Sequence, residues 1–235
     1  GLLLLLVSFV AAAGESASPY YPPRGDWERM TPAQAGFDAQ RLQQAIAFAQ
    51  AHEAPEPRDQ AKSLTQSFGS REPHFGGLIG PTAERAGING LIVHRGRVIA
   101  EFGDTRSLDM SHSVTKSFLS TVVGLAWQDG RIADTNDRVA GYMPGDIDLF
   151  KSEHNAPITW EHLLRQTSDW EGTLWGKPDW ADRPSGPQEQ WPQRARHAPG
   201  SHYMYNDVRV NVLALAALQV WRQPLPQVLR ERVMD

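Results

Sequence analysis

The chain contains no cysteine. That excludes a disulfide framework, a lipid-modified N-terminal cysteine and any thiolate metal site. Runs of one charge are also missing. The 23 Lys and Arg stand against 27 Asp and Glu for a net charge of -4, and no basic stretch or arginine-rich helix occurs, so nucleic acid is not an expected partner. No apolar run is long enough to span a bilayer as a helix, and no stable membrane span is expected. There is no Gly-x-Gly and no Walker loop, which removes the usual nucleotide cradles. No Ser has Gly at both minus two and plus two, so the nucleophile elbow of the α/β-hydrolases is absent. The eight His never form His-Glu-x-x-His, so zinc-peptidase chemistry is not expected. Neither a metal nor an organic cofactor is called for.

What remains is a 235-residue chain, 40% hydrophobic and 9% aromatic, enough for one large core or two smaller ones. Residues 1–13, a leucine-rich block running into Ala11-Ala12-Ala13, have the shape of a signal-peptide remnant, and export to a periplasmic or extracellular location is the expectation. Residues 14–36 read as an extended lead-in. Asp38 then caps a helix whose apolar positions are Leu42, Ala45, Ile46 and Ala49. Residues 52–87 show no sustained period and read as a long irregular connection. Two apolar runs, 89–94 and 98–103, flank Arg95-Gly96-Arg97 and predict a β-hairpin. Helical patterns follow over 113–128, 159–166, 207–221 and 226–233, with loops rich in Trp, Pro and Gly between 170 and 200. The expected organisation is thus a helix-and-hairpin unit over 37–110 and a helical unit over 111–235.

Ser113-Val114-Thr115-Lys116 opens the first of these later helices. Residues three apart share a helix face, so a hydroxyl and an amine point into one space, a nucleophile beside a possible base. Val114, Phe118, Val122 and Leu125 form an apolar stripe that anchors the helix. Free N–H groups at a first turn favour negative charge developing on an attacked carbonyl. Lys116 acts as a base only if burial lowers its pKa, because a solvated ammonium keeps its proton at neutral pH. Ser113 equally fits a plain N-cap. Tyr205-Asn206-Asp207 opens a second helix, where Asp207 reads either as its N-cap or as an anion beside Lys116. His112 reads as structural or as a donor supporting the site, and Ser168-Asp169-Trp170 as a helix stop. Trp170, Trp175, Trp180 and Trp191 either wall an apolar pocket or pack a satellite cluster.

Three blocks in order, Met110 to Phe118, Ile158 to Ser168 and Pro199 to Asp207, resemble the serine β-lactamase and penicillin-binding-protein superfamily. The likeness is greatest to its class C-like branch of related esterases, amidases and peptidases. The resemblance implies an α+β, β-lactamase-like fold: an antiparallel sheet with flanking helices, of which this chain holds the N-terminal hairpin, plus an all-α domain. It implies Ser113 as acylated nucleophile, Lys116 as proton-relay partner and Tyr205 as second hydroxyl; Asp207 and His112, read from the residues themselves, stand beside these as candidate substrate or supporting contacts. The substrate implied is a small ester, amide or β-lactam-like molecule. Two departures stand out. Asp207 occupies the place where the family usually has Asn. The Lys-Thr-Gly or His-x-Gly strand, which in the family supplies one oxyanion-hole donor, does not follow the helices; the expectation is that it lies beyond Asp235 in a longer enzyme of which this is a fragment. His74-Phe75-Gly76 and His94-Arg95-Gly96 carry similar letters but precede Ser113. The rival readings are a non-catalytic ligand- or peptide-binding relative, and a true β-lactamase or D-alanyl peptidase.

Overall fold

Arg95 and Gly96 both have positive φ, 50° and 80°, the backbone sense that matches the twist of two antiparallel strands. They join β1 (Gly90–His94) to β2 (Arg97–Phe102), with a register irregularity between Ile92 and Val93. The computed structural model describes residues 20–70, 78, 80–184 and 186–235. The expected signal remnant, the start of the lead-in and His74-Phe75-Gly76 lie outside the described residues.

Two compact units are formed, one by residues 1–56 and 86–108, the other by 57–85 and 109–235. In the first, the lead-in is not merely extended: Val98 donates to Glu28 O at 2.9 Å and accepts from Met30 N at 3.0 Å, so this segment adds a parallel bridge to β2. Helix α1 (Ala39–Ala51) is capped by Asp38, whose carboxylate accepts from the N–H groups of Gln40 and Arg41. Ile46 is its one buried residue, alongside Val98 and Ile99 of β2.

The second unit begins with a correction. The stretch expected to be irregular contains helix α2 (Gln60–Gln66), started by Asp59 accepting from Lys62 N. Seven residues with one capping side chain are too short for hydrophobic periodicity to show. Its larger core gathers α3 (Thr115–Gln128), α4 (Trp160–Leu164), α5 (Asp207–Trp221) and α6 (Leu225–Leu229), after which the chain widens into a π turn over Arg230–Met234. The core face of α3 is Leu119, Val122, Val123 and Ala126, one position round from the stripe read in the sequence. Val114 precedes the helix and is exposed, which moves the apolar register on. Trp221 Nε1 donates to Val122 O at 3.1 Å and ties the end of α5 to α3. Thr159 and His162 cap α4 reciprocally.

The segment 170–200, expected as loops, holds a two-residue ladder, β3 (Thr173–Leu174) with β4 (Lys177–Pro178). Buried charge fixes it. Asp169 and Asp179 are each 2% exposed and engage Arg194, Arg196 and the buried Arg209 of α5. Burial alone would raise the Asp169 pKa, but Arg194, the His197 N–H and Arg209 outweigh it and hold the carboxyl at about 2. Ser168-Asp169-Trp170 is therefore the anchor of this network as well as the stop after α4. The four Trp do not cluster: Trp170 is core, Trp175 is exposed, and Trp180 and Trp191 line a polar cavity of about 540 Å³.

Candidate active site

Ser113 sits in the middle of a single 3-10 turn, His112–Val114, that leads into α3 at Thr115. The helix thus starts two residues later than its pattern predicts, and Ser113 is not a cap; no side-chain cap bond closes this end of α3. Its hydroxyl points elsewhere. Ser113 Oγ lies 2.7 Å from Tyr205 Oη, and Lys116 Nζ donates to Ser113 Oγ at 3.1 Å.

Tyr205 is held from behind. The residue after it, Asn206, is the true N-cap of α5: its Oδ1 accepts from Arg209 N at 3.0 Å and its Nδ2 donates to Asp179 O at 2.8 Å. Gln166, just past α4, accepts Asn206 N at 2.9 Å through its side chain and Met204 N at 3.0 Å through its carbonyl. The helix α4, the ionic loop and α5 therefore converge on the backbone that carries the phenol.

Asp207 corrects the capping reading. It is the first helical residue of α5 and its carboxylate turns to Lys116, with Nζ to Oδ1 at 2.6 Å. The contact is an ion pair by distance, and Oδ1 accepts no well-angled hydrogen bond. Oδ2 takes Arg183 Nη1 at 2.9 Å. Burial disfavours the Lys116 ammonium, but Asp207 and Tyr205 more than offset this and hold Lys116 above the usual lysine value. For Asp207 burial acts upward and the two cations prevail, holding it below the usual carboxylate value. At neutral pH Lys116 is a cation, and the condition for lysine as resting base is not met.

Arg183 was not legible as a site residue, and neither was Asp182. The Arg183 guanidinium carbon stands 4.5 Å from the Tyr205 ring centre, and Lys116 Nζ stands 4.7 Å from it. Asp182, 2% exposed at its side chain, accepts from Asp207 N at 2.5 Å, from Arg183 Nη1 at 2.9 Å and from Lys177 Nζ at 3.3 Å. Burial pushes its carboxyl pKa up. His112 has φ of 44°, a left-handed backbone immediately before Ser113, and its side chain makes no hydrogen bond to Ser113, Lys116 or Tyr205. It borders a mostly apolar cavity of about 460 Å³ between α3, α5 and α6, with Lys116 and Asp207 at its polar end and Phe118, Val122 and Leu229 along its walls.

Among the described residues no group of His, Asp and Glu is arranged to hold a metal ion, and no helix is long and apolar enough to cross a membrane. The family model described as Beta-lactamase matches residues 75–235. Among solved structures, the chain is similar to a Beta-lactamase/D-alanine Carboxypeptidase from Yersinia pestis crystallised with citrate, at 20% identity and a TM-score of 0.39 over 59% of this chain. The match covers 44% of that protein, so this chain spans less than half of its length. Among curated proteins none matches.

Proposed function

The chain belongs to the Beta-lactamase family, with its helices and small antiparallel sheets in a β-lactamase-like fold, and from that premise we propose that it is a serine hydrolase acting through an acyl-enzyme on Ser113. The observation that carries the reading is the three-way contact of Ser113 Oγ with Tyr205 Oη and Lys116 Nζ. A fold needs no such convergence of hydroxyl, phenol and ammonium on one exposed oxygen.

The chemistry follows from the distances. Ser113 Oγ attacks the carbonyl carbon of an ester or amide as its proton passes to Tyr205 Oη, 2.7 Å away, and Tyr205 hands a proton on toward the leaving group, so the phenol acts as a relay. Lys116, already protonated, donates to Ser113 Oγ and stabilises charge as the bond forms. Collapse of the tetrahedral species breaks the bond to the leaving alcohol or amine, which takes the proton from Tyr205. Water then attacks the ester on Ser113, gives its proton to Tyr205, and the acid departs with the serine proton restored.

The substrate class proposed is a small carboxylic ester or amide, β-lactams included, and the site of action an exported one, from the character of residues 1–13. A fluorophosphonate or penicillin probe on the full-length protein, followed by peptide mapping, tests the reading. An adduct on Ser113 is expected; a folded protein that stays unlabelled, or that hydrolyses esters as well with Ala at 113, sinks it. Aryl esters and a chromogenic cephalosporin then separate esterase from lactamase action.

A further inference from the structure

We propose that Arg183 is a positioning residue of the Ser113 site: it neutralises the carboxylate of Asp207 and braces the Tyr205 ring, leaving Lys116 available to Ser113. The inference rests on the hydrolase reading above and deepens it.

A carboxylate in the third place of the tyrosine motif puts a negative charge beside Lys116, where an amide would put none. An ammonium held by one close anion is drawn from any other acceptor. Arg183 divides that charge. Its Nη1 reaches Asp207 Oδ2 and Asp182 Oδ2, both at 2.9 Å, while its guanidinium carbon lies over the Tyr205 ring, 4.5 Å from its centre. The Phe68 ring centre is 5.3 Å from the same guanidinium carbon.

The loop is built to hold this pose. Arg183 has φ of 50°, in the left-handed region that is unfavourable for a non-glycine residue. Asp182 keeps it there, since its buried carboxylate accepts the Asp207 N–H at 2.5 Å and so pins the loop to the first turn of α5. Strain of this kind, at a residue touching the candidate proton carrier, points to function more than to folding. A lysine does not substitute, because one group must stand over a ring and at the same time reach two carboxylates.

The test uses the full-length protein with Arg183→Gln, Arg183→Lys, Asp207→Asn and the Gln/Asn double variant. Two quantities are read: the rate of Ser113 acylation by a fluorophosphonate, and the titration of Lys116 by NMR of lysines carbon-labelled beside the amine, the chain having four lysines. Arg183→Gln is expected to slow acylation roughly 10- to 100-fold and to move the Lys116 titration upward, since Asp207 then faces Lys116 alone. Asp207→Asn moves it downward. The double variant returns the titration toward wild type and regains much of the rate that Arg183→Gln loses. Unchanged acylation and titration in Arg183→Gln, or a double variant that loses the product of the two single losses, overturns the proposal. If Arg183→Gln does not fold, Arg183→Lys decides: slowed acylation with a near-wild-type Lys116 titration is expected, and unchanged acylation overturns the bracing role. A wild type that resists the probe removes the hydrolase reading, while the Lys116 shifts still judge the charge division.

Discussion

Tyr205 Oη and Ser113 Oγ, 92 residues apart in the chain, stand 2.7 Å from one another. One is on the turn before α3 and the other just ahead of the cap of α5, and the contact exists because the two helices meet in one core, to which α3 gives Leu119, Val122 and Val123 and α5 gives Val208, Val212 and Ala216. Hydrophobic burial on one side of α3 thus sets the register of a polar pair at its open end.

Tyr205→Phe keeps the ring that Lys116 and Arg183 both approach and deletes only the proton carrier. Acylation of Ser113 is expected to fall about 100- to 10,000-fold with thermal unfolding unchanged. Ser113→Ala abolishes the adduct with the fold intact. A Phe variant that acylates within a factor of two of wild type would remove Tyr205 from the proton route.

Ser113 and Lys116 were legible as neighbours because they stand three residues apart at a helix start, and Tyr205 was legible as a motif, but its contact with Ser113 depends on how α3 and α5 pack. The Arg183 side was not legible, since nothing local in Asp182-Arg183 shows that a loop will return to the first turn of α5. The same reason hid the Asp169 and Asp179 network, where the partners lie 15 to 40 residues apart. The Asp38 cap and the Arg95-Gly96 turn were readable, being decided within a few residues. Of the two readings of Asp207, N-cap or anion beside Lys116, the structure holds the second, with Asn206 as the cap and Asp207 paired to Lys116 and Arg183.

That division of labour separates two neighbouring substitutions. Asn206→Ala removes the cap of α5 and its bond to Asp179 O, and is expected to cost about 1–2 kcal/mol in chemical denaturation. Asp207→Asn leaves the cap but gives up the charge pairing with Lys116 and Arg183, so it should cost less than Asn206→Ala in chemical denaturation and should lower the Lys116 pKa. The paired charges also predict a pH plateau: Lys116, raised, keeps its contribution until pH climbs through its folded value, and Asp207, lowered, keeps its own until pH drops through its folded value. Denaturation midpoints that change for Asp207→Asn as much as for Asn206→Ala would contradict this.

Two glycines should respond in opposite directions to alanine. Gly200 has φ of 90°, and an added Cβ would meet His162 Nε2 at 2.6 Å, disturbing the reciprocal cap of α4. Gly200→Ala is expected to destabilise by about 1–3 kcal/mol. Gly124 lies within α3 with nothing within 4 Å of its would-be Cβ, so Gly124→Ala should stabilise by about 0.5–1 kcal/mol. Equal urea midpoints for the two variants would refute the assignment.

Asp169 makes acid the weak point of the loop that supports Tyr205. Its pKa falls from 3.8 to about 2 on folding, so the folded state binds its proton less readily than the unfolded chain. The resulting stability, about 2 kcal/mol, is complete above the unfolded value and lost as pH falls through the folded one, between about pH 4 and pH 2. Asp169→Asn removes that dependence and leaves Arg194 and the buried Arg209 to share Asp179 as their remaining carboxylate. At pH 7 this variant is expected to lose roughly 3–5 kcal/mol. Urea unfolding of both proteins from pH 7 down to pH 2 checks it: the gap should be widest at neutral pH and narrow through the acid window. Parallel curves across that window would mean that the Asp169 charge does not hold the loop.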